Sequence, residues 1–346
     1  MAQGLKIAVI GTGAIVERAH LPGLASDGDV AIFLCGRNSE RLRELSSRFP
    51  IEKTFSSFEE CLQSVPLDAA IIATPNFLHG EDAFRAINRG LPMLLEKPVS
   101  NDIAVSREIA ARADQAGVPI HLNLPQPVRP SMQLVKAAID EGRFGEIRSI
   151  DVAMLRSAAI PGFGTWFTQK RLSGGGVLAD YGPHMLDLAL HLAGDYRAEL
   201  VSARLWSDLG SKGQGLGDWT AHQDIGDAAV QFDVEDRALV HLKTMTGTFI
   251  TCDVAWAYHG ENESRVRIVG DRGGCEYRSD TGDGPALVMH PPSPAACAAD
   301  HDSLDGPWIL VVQRWLESLR SGGEDDGLSK GMAVAEIIAQ AYERAD

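Results

Sequence analysis

The chain of 346 residues has too few positive charges to balance its negative ones, and it has no long apolar run. Lysine and arginine number 32 against 47 aspartates and glutamates, a formal net charge of −15. This balance, with no basic patch to offset it, argues against a nucleic-acid partner. No apolar run reaches the roughly 18 residues of a membrane span, and the segment Met1 to Lys6 lacks a signal-peptide pattern. We therefore expect no membrane partner either.

Cysteine is scarce and scattered, at Cys35, Cys61, Cys252, Cys275 and Cys297. The number is odd and no pair has C-x-x-C spacing, so we predict neither a disulfide framework nor a zinc site. A reducing cytoplasm is the compartment that this pattern favours.

The chain has enough residues for two domains, and its 45% hydrophobic content is enough for real cores. In the first third, short apolar runs alternate with helical patterns, which predicts repeated β-α-β units and a doubly wound parallel sheet. We assign residues 1–122 to this Rossmann domain. The predicted strands are 5–10, 30–35, 67–73, 91–95 and 118–121, and the predicted helices are 14–25, 56–65, 80–89 and 103–116.

A glycine turn follows the first predicted strand. Gly11-Thr12-Gly13 leads into a helix through Ala14 and Ile15. Glycine lets the backbone approach a pyrophosphate, and a helix N-terminus supplies N–H donors. The G-x-G-x-x-G pattern needs a third glycine where this chain has Val16, so the strand before the turn and the helix after it carry the interpretation.

The second predicted strand ends without the carboxylate that binds ribose hydroxyls in NAD-binding folds. Its place is taken by Gly36, Arg37, Asn38 and Ser39. The guanidinium of Arg37 suits a 2′-phosphate, with Ser39 as an added hydroxyl and Arg41 as a second charge. We predict a preference for NADP(H); the alternative is a surface arginine beside a pocket that accepts either cofactor.

Two further segments lie at ends of predicted strands, where ligands of open α/β sheets bind. Thr74, Pro75, Asn76 and the nearby His79 follow one strand, and Glu96-Lys97-Pro98 follows the next. Lys97 can hydrogen-bond a substrate oxygen or take part in proton transfer. The alternative is a solvated lysine held by Glu96.

The remaining two thirds, residues 123–346, read as an α+β domain. Strand-like runs at 145–155, 198–206, 226–234, 237–244, 248–256 and 265–270 follow one another, with a hairpin turn at 270–274. Successive strands without helices between them imply an antiparallel or mixed sheet. Helices are expected at 130–141, 177–192, 305–320 and 330–344, the last able to pack back on the first domain. We read 207–223 and 291–300 as loops.

One stretch in this part stands out for its chemistry. Three glycines, Gly174-Gly175-Gly176, predict a flexible approach to a helix. On that helix Asp180 and His184 are four residues apart and share a face, with Asp187 one turn further along. A carboxylate one turn from an imidazole can orient it and raise its basicity. The alternative is a capped core helix with ordinary polar residues.

A polar substrate pocket requires further side chains. The candidates are Asn76, His79, Gln126, Arg129, Arg156, Trp166 and His222. From these we select Gln126, Arg129 and Trp166, the last in a loop that we expect to form a pocket wall. We expect no metal, because proton transfer and packing explain Asp180, His184 and Asp187 better.

Together these motifs resemble the Gfo/Idh/MocA oxidoreductases, named for glucose–fructose oxidoreductase and inositol 2-dehydrogenase. The match includes Gly11-Thr12-Gly13, Ala73 to His79, Glu96-Lys97-Pro98, the stretch from Gly174 to Asp187, and Val269 to Gly273. It extends over essentially the whole chain. The resemblance implies a Rossmann domain, a second domain with an open, predominantly antiparallel sheet, and a homodimer or homotetramer formed through sheet faces.

The resemblance also implies roles at the matching positions. Lys97 would orient the reacting hydroxyl near the nicotinamide, His184 would be the general acid or base, and Asp180 would hold the substrate. The expected activity is NAD(P)-dependent oxidation or reduction of a sugar, cyclitol or related polyol. Two other functions stay open. One is a redox-neutral enzyme with tightly bound cofactor, and the other is a ligand-binding protein on the same fold.

Overall fold

The structure is a computed structural model that describes residues 4–217, 231–279, 286–291, 306–322 and 327–345. The chain divides into two compact units. The first contains Met1–Pro125 and Ser303–Met332, and the second contains Gln126–Asp302 and Ala333–Asp346. The C-terminal stretch is thus shared between the units. The single boundary expected after residue 122 stays a prediction.

The first unit is built on a six-stranded parallel sheet, which confirms the predicted Rossmann-like fold. Its strands are β1 (Leu5–Ile10), β2 (Val30–Cys35), β3 (Ile51–Phe55), β4 (Ala69–Ile72), β5 (Met93–Leu95) and β6 (Ile120–Leu122). Their spatial order is β3-β2-β1-β4-β5-β6. Strand order therefore reverses between β1 and β4, the place where open α/β sheets bind dinucleotides.

Five helices lie between these strands in the described part of the chain, and three of them begin at a side chain that caps the first turn. They are α1 (Leu21–Ala25), preceded by a π-helical turn at Val16–His20, then α2 (Ser39–Arg48), α3 (Phe58–Ser64), α4 (His79–Asn88) and α5 (Ile103–Ala116). The Asp102 side chain accepts the N–H groups of Ala104 and Val105 at the start of α5. Gly117 ends that helix with φ of +62°.

Helix α2 and strand β3 were not predicted. The middle residues of β3, Glu52 to Thr54, are all exposed because the strand lies at the edge of the sheet. An edge strand with polar residues at its centre shows no apolar run, which is the signal that indicated the other strands.

The second unit contains a seven-stranded mixed sheet. Its strands are β7 (Ile147–Leu155), β8 (Ala198–Trp206), β9 (Arg237–Thr244), β10 (Phe249–Ala255), β11 (Glu263–Gly270), β12 (Gly274–Arg278) and β13 (Ala286–His290). Their order is β13-β12-β11-β7-β10-β9-β8. Only the β7–β10 pair is parallel among these strand pairs of the described chain, so the predicted antiparallel character is confirmed.

Helices cover one face of this sheet. They are α6 (Pro130–Asp140), α8 (Val177–Asp180) and α9 (Gly182–Ala193), and the short α7 (Lys170–Ser173) precedes α8 in the chain. Two C-terminal helices follow, α10 (Gly306–Ser321) and α11 (Gly327–Arg344). The core of the second unit joins α9 to the sheet and to Ile337 and Ala341 of α11. Helix α10 packs in the first unit, where its Arg320 forms an ion pair with Asp27.

Several predicted boundaries change. The strand expected at 226–234 is wrong in its described part, since residues 231–234 form no strand; the rest lies outside the described residues. Strands β12 and β13 were not predicted. Helix α11 begins three residues before the predicted start. Most of the loop expected at 291–300, and His222, also lie outside the described residues.

Candidate functional site

The carboxyl ends of β1, β4 and β5 carry predicted cofactor residues, and the end of β6 lies beside them. Ala73, directly after β4, donates its N–H to the carbonyl at the end of β1 at 2.8 Å. Glu96, directly after β5, donates to the end of β4 at 2.9 Å, and Asn123, after β6, donates to the end of β5 at 2.8 Å. The segments that follow these strands therefore lie along one edge, on both sides of the strand-order reversal.

The glycine turn after β1 leaves no room for side chains at its first position. Gly11 has φ of +122°, and a Cβ there would overlap the carbonyl of Ala73. Gly13 is exposed, and a Cβ there would meet nothing within 4 Å. Helical structure begins at Ala14 and continues through Ile15. The first glycine is thus required by the protein's own backbone, whereas the second leaves open space above the helix start.

Val16, at the position of the missing third glycine, is fully buried. A π-helical turn begins at this residue and continues to His20. A glycine at this point lets a regular helix lie close to the strand. The π-helical turn thus begins at the position where the pattern has its third glycine.

Arg37 is exposed at the end of β2 and makes no ion pair or hydrogen bond with the described residues. The neighbouring Asn38 caps α2 by accepting the N–H groups of Glu40 and Arg41, and Ser39 is exposed in the first turn. Arg41 forms ion pairs with the carboxylates of Glu17 and Glu44. Only one of the two arginines proposed to contact a phosphate is therefore left unneutralised.

His79 is fully buried at the start of α4. Its Nδ1 lies 2.8 Å from the carbonyl of Pro98, and its Nε2 lies 2.8 Å from the carbonyl of Thr74. Burial lowers the pKa of His79, against the opposing effect of these two carbonyls. In this arrangement His79 joins the loop after β4 to the loop after β5. Pro75 and the buried Asn76 lie between Thr74 and this helix.

Glu96 lies in a buried cluster that sequence reasoning missed. Its Oε1 is 2.8 Å from His20 Nε2 and accepts a hydrogen bond from Asn123 Nδ2 at 2.6 Å. Burial opposes ionisation of Glu96, but His20 and Asn123 together outweigh it and lower the pKa of the carboxyl group. The half-buried Lys97 follows directly, so its backbone is anchored by this cluster.

In the second unit, the three glycines before α8 are packed rather than flexible, so the expected flexible approach is wrong. Gly175 and Gly176 are buried. A Cβ on Gly175 would overlap the hydroxyl of Tyr342, and one on Gly176 would overlap the backbone of Glu235. Gly174 ends α7 with φ of +89°.

Glu235 holds this turn from the other side. Its carboxylate accepts the N–H of Gly176 at 3.0 Å, the N–H of Leu178 at 2.9 Å and the hydroxyl of Tyr342 at 2.8 Å. A carboxylate that accepts N–H groups in the first turn of a helix is a helix cap. Burial raises the pKa of Glu235, and the same donors oppose that rise.

Asp180 is the last residue of α8, and His184 lies in the first turn of α9. The intervening Tyr181 has φ −83° and ψ −30°, so the helical spacing between the two side chains is kept. His184 and Asp187 are buried, with 7% and 3% of their surface exposed. Almost all of α9 is buried. The sheet and the segment around α6 enclose it.

Trp256 contacts this region, and neither it nor its backbone partner Asp236 belongs to a motif that would identify it. The indole Nε1 of Trp256 donates to Oδ2 of Asp180 at 2.9 Å. Asp236 is buried directly before β9, and its carboxylate accepts the N–H groups of Leu209 and Gly210. The only sequence signal was a Glu-Asp pair directly before an apolar strand.

The predicted substrate residues of the second unit lie on two different segments. Gln126 is buried and its Oε1 accepts a hydrogen bond from Arg129 Nε at 2.7 Å. The ring of Trp166 is half-buried and stacks on Phe167 at 3.8 Å between centroids. Arg156 donates to the carbonyl of Glu263 and thus joins two strand ends.

The predicted catalytic residues are divided between the units: Lys97 belongs to the first, and Asp180 and His184 belong to the second. No group of three His, Cys, Asp or Glu side chains is placed to hold a metal ion in the described part of the chain. None of its helices is long and apolar enough to cross a membrane.

Two family models match the chain. Residues 5–124 match the model described as "Oxidoreductase family, NAD-binding Rossmann fold", and residues 132–276 match the "GFO/IDH/MocA C-terminal domain". Together they extend over both units.

Relatives of known activity are distant in sequence and similar in fold. The D-glucoside 3-dehydrogenase of Escherichia coli (strain K12) is 25% identical over 277 residues, which is 78% of this chain and 76% of that protein. The levoglucosan dehydrogenase of Pseudarthrobacter phenanthrenivorans is 25% identical over 272 residues, 75% and 70% of the two chains. A solved levoglucosan dehydrogenase, in complex with NADH and levoglucosan, superposes with a TM-score of 0.82 at 21% identity over 99% and 97% of the chains.

Proposed function

Because the chain belongs to the Gfo/Idh/MocA family of oxidoreductases, we propose that it is an NAD(P)-dependent dehydrogenase or reductase. Its substrate is a sugar, cyclitol or related polyol, and the hydride is transferred to or from a carbon that bears a keto or hydroxyl group. Relatives named as sugar dehydrogenases support this substrate class. The observation that carries the proposal is the alignment of the glycine turn, the Thr74 loop and Lys97 along one edge of the first sheet.

The residues present fit a dinucleotide. Gly11 allows the turn to pack against the backbone after β4, and the exposed Gly13 offers open space at a helix N-terminus. Backbone N–H groups of the turn and of Ala14 and Ile15 would hold the pyrophosphate. The nicotinamide, when bound, supplies the hydride acceptor or donor.

We further propose that the cofactor is NADP(H), with NAD(H) as a weaker alternative. Arg37 supports this, since its guanidinium is exposed and unneutralised at the strand end where the 2′-phosphate would lie. Asn38 and Ser39 would contribute an amide and a hydroxyl. Arg41 is left out of this proposal, because its guanidinium already forms ion pairs with Glu17 and Glu44.

The chemistry that we assign to the chain's own residues is proton transfer and orientation. His184 takes a proton from the substrate hydroxyl, or returns one to a ketone oxygen, and Lys97 donates a hydrogen bond to that oxygen. Asp180 holds the substrate, and Gln126, Arg129 and Trp166 complete the substrate contacts. Burial of His184 favours this role because it limits competition from water.

The first experiment is His184→Ala, with His191→Asn on the same helix as the matched control. Removing a general acid or base typically lowers the rate by about 100- to 10,000-fold. We expect such a loss in kcat with cofactor affinity retained, and near-normal turnover in the control. Unchanged turnover in His184→Ala would refute the catalytic assignment.

Cofactor preference is tested by fluorescence titration with NADPH and NADH. We expect tighter NADPH binding in the native protein and loss of that preference in Arg37→Ala. If NADPH and NADH bind with equal affinity in both the native protein and Arg37→Ala, the assignment of Arg37 as the phosphate contact would be refuted. Turnover without net change in reduced cofactor would instead indicate a redox-neutral enzyme. Binding without turnover on a sugar and cyclitol panel would indicate a ligand-binding protein.

A homodimer or homotetramer is also part of the proposal. The sheet face opposite the helices of the second unit exposes Phe249, Val269 and Val288 by 40%, 46% and 49%. Apolar side chains exposed on one sheet face favour contact with a second copy of the chain. Light scattering at several protein concentrations tests this, and a monomer at all of them would contradict it.

A further inference from the structure

The fully buried side chain of Trp256 ends against the carboxylate of Asp180. Its Nε1 lies 2.9 Å from Oδ2, and 1% of the residue is exposed. The indole N–H can only donate, and a buried donor of this kind normally has a partner. The partner here is the acidic residue to which we assign substrate contact.

The position of the ring is set by three segments of the second unit. Trp256 continues the inward-facing alternation of β10 and belongs to the same core as that strand. Its backbone N–H donates to the carbonyl of Asp236 at 2.8 Å, and its carbonyl accepts the N–H of Ala159 at 2.7 Å. The Asp236 carboxylate in turn holds the turn at Leu209 and Gly210. The indole therefore has little freedom to shift.

The backbone of Asp180 is held by other contacts. Its N–H donates to the carbonyl of Gly176 at 3.1 Å, and Glu235 caps the first turn of α8. The helix would keep its place without the indole. What Trp256 adds is a fixed direction for the Asp180 side chain.

We infer that Trp256 is a positioning residue, whose indole N–H fixes the orientation of the Asp180 carboxylate that meets the substrate. The inference rests on the proposed function, since it needs Asp180 to contact the substrate. Binding groups must be held in place for efficient reaction, because small displacements of them lower the rate strongly.

The test is a double-mutant cycle with Trp256→Phe and Asp180→Ala. We expect Trp256→Phe to lower kcat/KM for the sugar by about tenfold, the factor associated with one hydrogen bond to a charged group. The KM for the cofactor should not change. In the Asp180→Ala background the same substitution should have no further effect, because the carboxylate that it orients is gone.

Two controls separate orientation from packing. Trp206→Phe alters a half-buried tryptophan of the same sheet that stacks under Arg237, and it should leave kcat/KM within about twofold. A benzothienylalanine introduced at position 256 keeps the shape of the ring and lacks the N–H donor. It should reproduce the loss seen with Trp256→Phe, even if the phenylalanine variant folds poorly.

The outcomes are distinguishable. If Asp180→Ala loses activity while both changes at position 256 leave kcat/KM unchanged, this inference is overturned and the proposed function stands. If the double variant loses kcat/KM by the product of the two single losses, the inference is overturned as well. Such a result would show that Trp256→Phe acts through a general packing effect. If Asp180→Ala itself is fully active, the assignment of Asp180 fails and the inference fails with it.

Discussion

The two glycine-rich turns of this protein look alike in sequence and are built for different reasons. In Gly11-Thr12-Gly13 the first glycine packs against backbone, while the second faces open space. In Gly174-Gly175-Gly176 the last two glycines are buried against Tyr342 and Glu235. The first turn leaves room for a ligand, and the second leaves room for the protein's own side chains. Glycine content alone therefore does not separate a binding turn from a packed one.

Among the substitutions in these two turns, we expect Gly176→Ala to lower the stability of the protein most. Its methyl group would overlap the backbone of Glu235, whose carbonyl accepts the N–H of Val177 and which lies two residues before β9. We expect a loss of at least about 3 kcal/mol in the free energy of unfolding, at the upper end of single substitutions. Thermal or denaturant unfolding measures it. A loss below about 1 kcal/mol would show that the turn adapts.

Gly13→Ala is the matched substitution in the other turn. Because a Cβ there meets nothing within 4 Å, stability should change by no more than about 0.5 kcal/mol. If the pyrophosphate approaches this backbone, the methyl group will hinder it and raise the Kd for NADPH by about tenfold, or 1.4 kcal/mol. Titration of both proteins with NADPH decides the point. Undiminished affinity would contradict our placement of the cofactor.

Tyr342→Phe examines the side chain that fills the space left by Gly175. The substitution removes one of the donors to the Glu235 carboxylate and leaves the ring in place. We expect a decrease in unfolding free energy of about 1 kcal/mol. Glu235→Ala should decrease the unfolding free energy further, by about 1–3 kcal/mol for each donor left unpaired. Equal stability of the two variants would contradict the capping role of Glu235.

The smallest effect that we expect is a difference in how two buried glutamates, Glu96 and Glu235, make the stability of the protein depend on pH. The pKa of Glu96 is lowered in the fold, so its contribution to stability is lost as the pH falls below about 4.5. The pKa of Glu235 is raised, so the folded state loses stability as the pH rises above about 4.5.

The measurement is the melting temperature of Glu96→Gln and Glu235→Gln relative to the native protein across this range. As the pH rises, the melting temperature of Glu96→Gln should decrease relative to that of the native protein. The melting temperature of Glu235→Gln should increase relative to it. Parallel curves for the two variants would show that neither carboxyl group titrates differently in the folded state.

The sequence was most informative where one element carries its own signal. Helix α5 was predicted with its observed bounds, because Asp102 caps its start and Gly117 ends it. Strands β8 and β9 were also predicted with their observed bounds, because buried and exposed residues largely alternate along them. The edge strand β3 was missed because its centre is polar.

Residues that act through distant partners were the ones that sequence reasoning missed. His20 and Asn123 meet at Glu96 from separate segments of the first unit. Trp256 reaches Asp180 across 76 positions of chain. No local spacing predicts such contacts, since they depend on which strands and helices become neighbours.

The sequence by itself determined the Rossmann-like sheet, the mixed second sheet and the family, because periodicity, turns and short motifs are local properties of the chain. Only the tertiary structure decided that Arg41 is neutralised by Glu17 and Glu44, that His79 is enclosed by two carbonyls, and that the glycines before α8 are packed. These features are set by burial and by partners far away in sequence. Burial and long-range contacts exist only once the sheets have formed and the helices lie against them.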